Sequence, residues 1–181
     1  MIQGVMIQAL RYTSLLVFGM SLAFAQGSPP ETASVTVGGK TIRINYSAPS
    51  VRGRKIFGPG GLLSSDPTYP AWRAGANSAT SFHTSAKLQI GTLNIPKGDY
   101  TLYCWVNDPE AWDLIISKET GQWGLEYNAS QDLGRVKMTM SKPPSVVEML
   151  KYTLTDQGAG KVKLQLEWER HIASVIMTVK E

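Results

Sequence analysis

The sequence predicts an all-β fold, an antiparallel β-sandwich or jelly-roll-like single domain. Three observations point there. Apolar and polar residues alternate at period two over several short runs, Gly- and Pro-rich turns separate the runs, and helical periodicity is weak throughout. Residues 33–37 and 40–46 flank Gly38-Gly39, a hairpin signal, because both positions of such a two-residue turn need positive φ. In the second arm Ile42, Ile44 and Tyr46 share one face, and Thr41, Arg43 and Asn45 share the other. Residues 80–84 and 87–90 read as further strands. Ile95-Pro96-Lys97-Gly98-Asp99 turns the chain into residues 100–106, whose bulky apolar groups on both faces predict a central strand covered on both sides. Residues 112–117 form another apolar run. Residues 135–140 and 161–168 alternate cleanly, and residues 173–179 give a last strand with one apolar face. Residues 145–151 allow a helical turn, but Leu150, Tyr152 and Leu154 continue at strand spacing. Residues 48–76 have no clean period. Their Gly, Pro and Ser content predicts a long loop over one end or face, and their Arg and aromatic residues argue against disorder.

The chain has 181 residues, of which 43% are hydrophobic and 18% charged, the balance of one ordinary globular domain. Residues 1–25 read as a secretory signal peptide. Arg11 supplies the positive start, Ser14 to Leu22 a short apolar core, and Ala23-Phe24-Ala25 the small-residue cleavage pattern. That core is shorter than the roughly 20 apolar residues a spanning helix needs, and no later stretch is longer, so no membrane span is expected. The expected organisation is a signal at 1–25, a flexible lead-in at 26–32 and one β-sandwich domain at 33–181, periplasmic or secreted after cleavage near Ala25-Gln26. One Cys excludes an internal disulfide framework and any zinc site built on several thiolates.

The charge is distributed unevenly. Residues 32–98 hold eight basic side chains and one acid, Asp66, whereas residues 99–181 hold nine basic and twelve acidic ones. Such asymmetry can focus a field on one face and attract an anion, or simply solvate separate surfaces. Two segments of the basic part stand out. In Arg52-Gly53-Arg54-Lys55 the two guanidiniums project to one side if the chain is extended and then suit carboxylate, phosphate or sulfate, or else one of them pairs with a buried carboxylate and pins the loop. In Trp72-Arg73-Ala74-Gly75-Ala76-Asn77 an indole beside a guanidinium can build a stacking and hydrogen-bonding surface, or Trp72 can plug the sandwich end.

Other constellations carry less. Tyr103, Trp105, Trp112, Trp123 and Tyr127 fall at strand spacing and read as core, although exposed rings in a row would suggest carbohydrate binding. His83, His171 and Glu169 lack metal-ligand spacing, so neither a metal nor a cofactor is expected. There is no Gly-x-Ser-x-Gly elbow, and Cys104 reads as a small buried hydrophobe in a central strand. A glycosidase needs two converging carboxylates, and nothing selects a pair among Asp99, Asp113, Glu126, Glu148, Glu167 and Glu169.

Several segments together resemble a known family. Ile44-x-Tyr46-Ser47-x-Pro49, Arg52-Gly53-Arg54-x-Ile56-Phe57-Gly58, Trp72-Arg73-x-Gly75-Ala76-Asn77, Pro96-x-Gly98-x-Tyr100-x-Leu102 and Trp123-Gly124 are similar to the exported bacterial proteins grouped as domain-of-unknown-function family 2911. The likeness runs from about Ala33 to Val179, and it departs from the family pattern between the two motifs, Pro59 to Ala71, where this chain has Pro67-Thr68-Tyr69-Pro70-Ala71-Trp72. The resemblance implies an exported, mostly β domain and no particular activity. With both motifs at the ends of the irregular loop, Arg52, Arg54, Arg73 and Asn77 are expected to form one anion-facing pocket floored by Trp72. The favoured expectation is a noncatalytic module binding an anionic small molecule, a glycan or an acidic protein; nucleic acid is not expected. The alternatives are an envelope glycan-acting hydrolase or isomerase using carboxylates of the second half, and a purely structural envelope interaction protein.

Overall fold

Two antiparallel sheets face each other in a computed structural model that describes residues 27–180. The signal-peptide reading lies outside the described residues.

The strands of the first sheet are β1 (Pro30–Val37), β2 (Lys40–Ser47), β3 (Ala71–Trp72), β4 (Thr80–Thr84), β7 (Gly98–Asp108), β8 (Ala111–Ser117) and β9 (Asp132–Lys137). Their order is β1-β2-β4-β7-β8-β9, with β3 pairing the far half of β7 beyond β4. The second sheet holds β5 (Lys87–Ile90), β6 (Leu93–Ile95), β10 (Thr139–Ser141), β11 (Val147–Gly158), β12 (Lys161–Glu169) and β13 (His171–Lys180). It is ordered β11-β12-β13-β5-β6, with β10 also on β13. This is an all-β sandwich.

Alternation builds the interior. Ile42, Ile44 and Tyr46 point inward from β2, Leu102 and Cys104 from β7, and Leu114 and Ile116 from β8. Val162, Leu164, Leu166 and Trp168 of β12 meet them with Ala173, Val175 and Met177 of β13. The Gly38-Gly39 turn has φ of 55° and 75°, and Val37 faces Lys40 across it, as the hairpin signal requires. Strand β1 starts at Pro30, paired with Ser47, so the ordered domain begins earlier than the expected boundary at Ala33.

Strand β7 is covered on both sides, as its composition predicts. Its inward face joins the core, while the outward-facing Tyr103 is 0% exposed because the segment after β8 folds over it. The Tyr103 hydroxyl donates to Glu126 O at 2.6 Å and accepts from Gln122 Nε2 at 3.0 Å.

Three crossings connect the sheets. The Ser85-Ala86 turn carries β4 into β5, and Pro96-Lys97 brings β6 back to β7. The clean alternation over residues 135–140 is divided between the sheets as β9 and β10. The chain crosses at buried Met138, whose N–H donates to Trp112 O at 2.9 Å. Residues 142–146 lie between β10 and β11 within the second sheet, and the irregular segment 48–79, with β3 and one 3-10 turn at Leu62–Ser65, links β2 to β4 within the first sheet and closes an end of the sandwich.

Candidate functional site

The irregular segment is pinned residue by residue. Arg52 and Gly53 take consecutive positive φ values of 50° and 66°, and Arg52 N–H donates to Glu148 Oε1 at 2.8 Å. This tight reversal lets the Arg54 guanidinium fold back on its own loop, with Nε to Val51 O at 3.0 Å and Nη2 to Ser50 O at 2.6 Å. Ile56, Phe57 and Leu63 then enter the core.

Trp72 is only 2% exposed. Its pairing with Cys104 turns the ring inward, where it stacks on Trp168 at 5.5 Å and 19° and meets Phe57 and Trp112 edge-on. Its Nε1 donates to Gly75 O at 3.3 Å. The indole therefore plugs the sandwich end and is not the floor of a solvent-filled pocket.

Arg73, the next residue, points to the opposite face and meets Asp66 at 3.0 Å, both side chains mostly buried. Asp66 also accepts from Thr68 N–H and Oγ1 through its other oxygen. Asn77 has φ of 59°, and its carbonyl accepts from Gly124 N–H at 3.1 Å. Arg73 and Asn77 do come together, but over Gly124. A Cβ there would lie 2.0 Å from Arg73 Cδ and 2.4 Å from Asn77 O. The Trp72–Asn77 and Trp123-Gly124 segments thus interlock, with Arg54 turned to carbonyls of its own loop, Trp72 stacked in the core and Arg73 paired with Asp66.

Several other aromatic and titratable groups are engaged as well. Arg135 lies 4.5 Å over Trp105 and bonds Asp132 and Tyr127. Burial and the neighbouring Asp132 push the Tyr127 phenol well up. Burial also raises the Cys104 thiol, which leaves it an inert core residue. His83 pairs with Asp99 at 2.7 Å on the first sheet, and His171 approaches Glu169 to 3.0 Å on the second. Asp113 and Glu110 face Lys137 and Lys142. Among the described residues, no group of three or more His, Cys, Asp or Glu could hold a metal ion.

Positive charge converges elsewhere. Lys40 follows the β1–β2 turn, Lys87 follows the β4–β5 crossing, Lys97 sits in the β6–β7 crossing, and Lys180 ends β13. All four line one open cavity of about 760 Å³, over Ala86 and Pro96, with no carboxylate in its lining among the described residues. Ser85 ties the corner together: its hydroxyl accepts from Thr41 N–H at 2.8 Å, and its N–H donates to Thr41 O at 3.0 Å. Lys87 and Lys180 are direct cross-strand partners. Like charges placed opposite one another destabilise a strand pair, so this corner retains a repulsion that one acidic substitution would remove. Asp99, the next acid along from Lys97, is turned to His83.

Sequence reasoning counted Lys40, Lys87 and Lys97 in the basic half but did not bring them together, and it left Lys180 out. The available signal was a lysine at each of three turns, Gly39-Lys40, Ala86-Lys87 and Pro96-Lys97. Their meeting depends on two sheet crossings that no local pattern specifies.

The sandwich architecture, with an end plug and a cationic corner, defines the class as an all-β domain with its polar surface features on turns. The chain belongs to the family described as protein of unknown function (DUF2911), whose pattern it matches over residues 28–177. No curated protein and no solved structure matches it.

Proposed function

We propose that the protein is an exported, noncatalytic module that binds a multiply charged anion, such as an acidic glycan, a phosphorylated small molecule or an acidic segment of a partner, at the four-lysine corner. One observation carries the reading. Lys40, Lys87, Lys97 and Lys180 surround one cavity with no acid in its lining among the described residues, and Lys87 directly opposes Lys180. A bound anion would relieve that repulsion and gain from all four charges at once. Lysine suits such a role as a mobile point charge that tolerates several anion shapes.

Calorimetric titration with tripolyphosphate and with oligogalacturonate tests it. Binding is expected at low salt and should weaken steeply as salt is added, since exposed charges are screened within about 8 Å at physiological ionic strength. Lys87→Glu or Lys180→Glu should reduce affinity about tenfold or more, an effect of about 1.4 kcal/mol. Equal affinity in these variants, or no heat with either anion, would refute the reading.

A further inference from the structure

We infer that a second, uncharged groove at the other end of strands β2 and β4 is a binding site for a neutral saccharide. The inference does not depend on the anion reading. Asn45 lies five residues along β2 from Lys40, which is about 17 Å at the rise of an extended strand.

The groove encloses about 340 Å³ and is lined by Asn45 and Ser47 of β2, Ser78 and Ser81 around the start of β4, and Gly121 and Gln122 of the segment after β8. That volume falls in the range of small-molecule sites, about 300–1,000 Å³. Among the described residues its lining contains no carboxylate, lysine or arginine. An anion would find no counter-charge there, and an apolar ligand would have to strip water from amides and hydroxyls without replacing their hydrogen bonds. A sugar ring, with several hydroxyls that each donate and accept, matches such a surface.

The polar groups are pre-oriented. Thr32 Oγ1 donates to Asn45 Oδ1 at 3.0 Å, and Asn45 Nδ2 donates to Ser81 Oγ at 3.2 Å. This fixes the Asn45 amide and leaves its second N–H and the Ser81 proton for a ligand. The Ser47 and Ser78 hydroxyls line the groove and make no hydrogen bond to another side chain or backbone group among the described residues. Gln122 has a different part: its amide is held by Tyr103 and Thr101, and it anchors the wall.

Trp123 is the second, independent observation. It directly follows Gln122, forms a β-bridge with Ser78 at the groove, and is 51% exposed, the most exposed large hydrophobic residue among those described. The segment around it is not loose. Ala79 N–H bonds Gln122 O, and Gly124 N–H bonds Asn77 O, so the backbone is paired on either side of Trp123 in the chain. Trp123 does not itself line the groove, but its backbone bridge to Ser78 sets its exposed indole next to a lining residue, so a pyranose whose hydroxyl edge meets Asn45, Ser78 and Ser81 would extend its C–H side toward that ring.

Fluorescence and calorimetric titrations of the purified protein with cellohexaose, maltohexaose and chitohexaose test the assignment. At least one should bind with a dissociation constant of about 1 mM or tighter and perturb tryptophan emission. Trp123→Ala should weaken that binding about tenfold or more, Trp123→Phe by less, and Asn45→Ala by several-fold. Lys87→Glu should leave it unchanged, which separates the result from the anion test. Trp123 carries little packing, so circular dichroism and the unfolding midpoint of Trp123→Ala should match the parent. Absence of binding by all three sugars, or unchanged affinity in Trp123→Ala, would overturn the inference.

Discussion

Gly124 shows how much of this protein is decided by single close approaches. Its Cα lies under Arg73 Cδ and Asn77 O, and Arg73 is itself held by Asp66. Asp66 is the lone acid of residues 32–98, so the Arg73 guanidinium takes up the one local counter-charge of the basic half. Gly124→Ala is therefore expected to destabilise the fold by about 1–3 kcal/mol, the usual cost of overpacking, as read from urea unfolding. Adding Arg73→Ala should not restore stability, because the Asn77 carbonyl still blocks a Cβ at 2.4 Å and backbone cannot swing aside. Recovery of parental stability in the double variant would mean that the side chain alone sets the constraint. The Trp-Gly pair was visible in the sequence, but its reason was not, since the three residues meet only after two separate segments dock. Trp72 was more legible. An indole in an unpatterned, Arg-containing loop suits either a plug or a platform, and its β3 register with Cys104 decides for the plug. Trp123 reverses the expectation for the aromatic set: strand spacing argues for burial, but the residue lies in the segment after β8 and not in a strand.

At the scale of elements, period-two patterning located the strands well because each presents one face to a common core. It could not show that residues 132–141 serve two sheets, since alternation continues smoothly while the partner changes at Met138. The 48–79 segment resisted reading for the opposite reason: it follows the irregular surface of a sandwich end, where no period applies. Its docking onto the β12–β13 hairpin centres on His171, whose ring stacks on Trp112 at 5.4 Å and 19° and meets Phe57 at 4.6 Å. Burial among these rings lowers the His171 pKa from 6.5, outweighing the opposing pull of Glu169 and Glu110, while Lys142 adds to the lowering. The imidazole is thus kept neutral in the fold. As pH falls below 6.5, the unfolded chain takes up a proton that the folded protein resists, so stability is full above this value and declines as the pH drops toward the depressed folded value. Melting between about pH 7.5 and about pH 5.5 should show this decline in the parent, and His171→Gln should flatten it. A parallel decline in both proteins would place the dependence on other groups.

For the whole molecule, the sign of the charge asymmetry was legible, but its place was not. The Arg-rich loop drew attention because its charges are adjacent in sequence, yet adjacency allowed Arg54 to satisfy its own loop carbonyls. The lysines are far apart in sequence, begin or end turns, and meet only because β4–β5 and β6–β7 cross between sheets at the same end. Their arrangement has a thermodynamic signature that needs no ligand. Lys180→Glu converts a like-charge cross-strand pair with Lys87 into an opposite-charge one. Exposed pairs of this kind are worth little, so the gain in stability should be small, about 0.5 kcal/mol at low salt. It should shrink as salt screens the pair. The same substitution should weaken binding of tripolyphosphate. A variant that folds more stably and binds less well is the outcome expected where repulsion is retained for recognition, since sites commonly keep local strain at the expense of stability. If Lys180→Glu instead lowers the unfolding midpoint at low salt, the four cations do not repel one another in the folded protein, and the electrostatic basis for an anion at this corner fails.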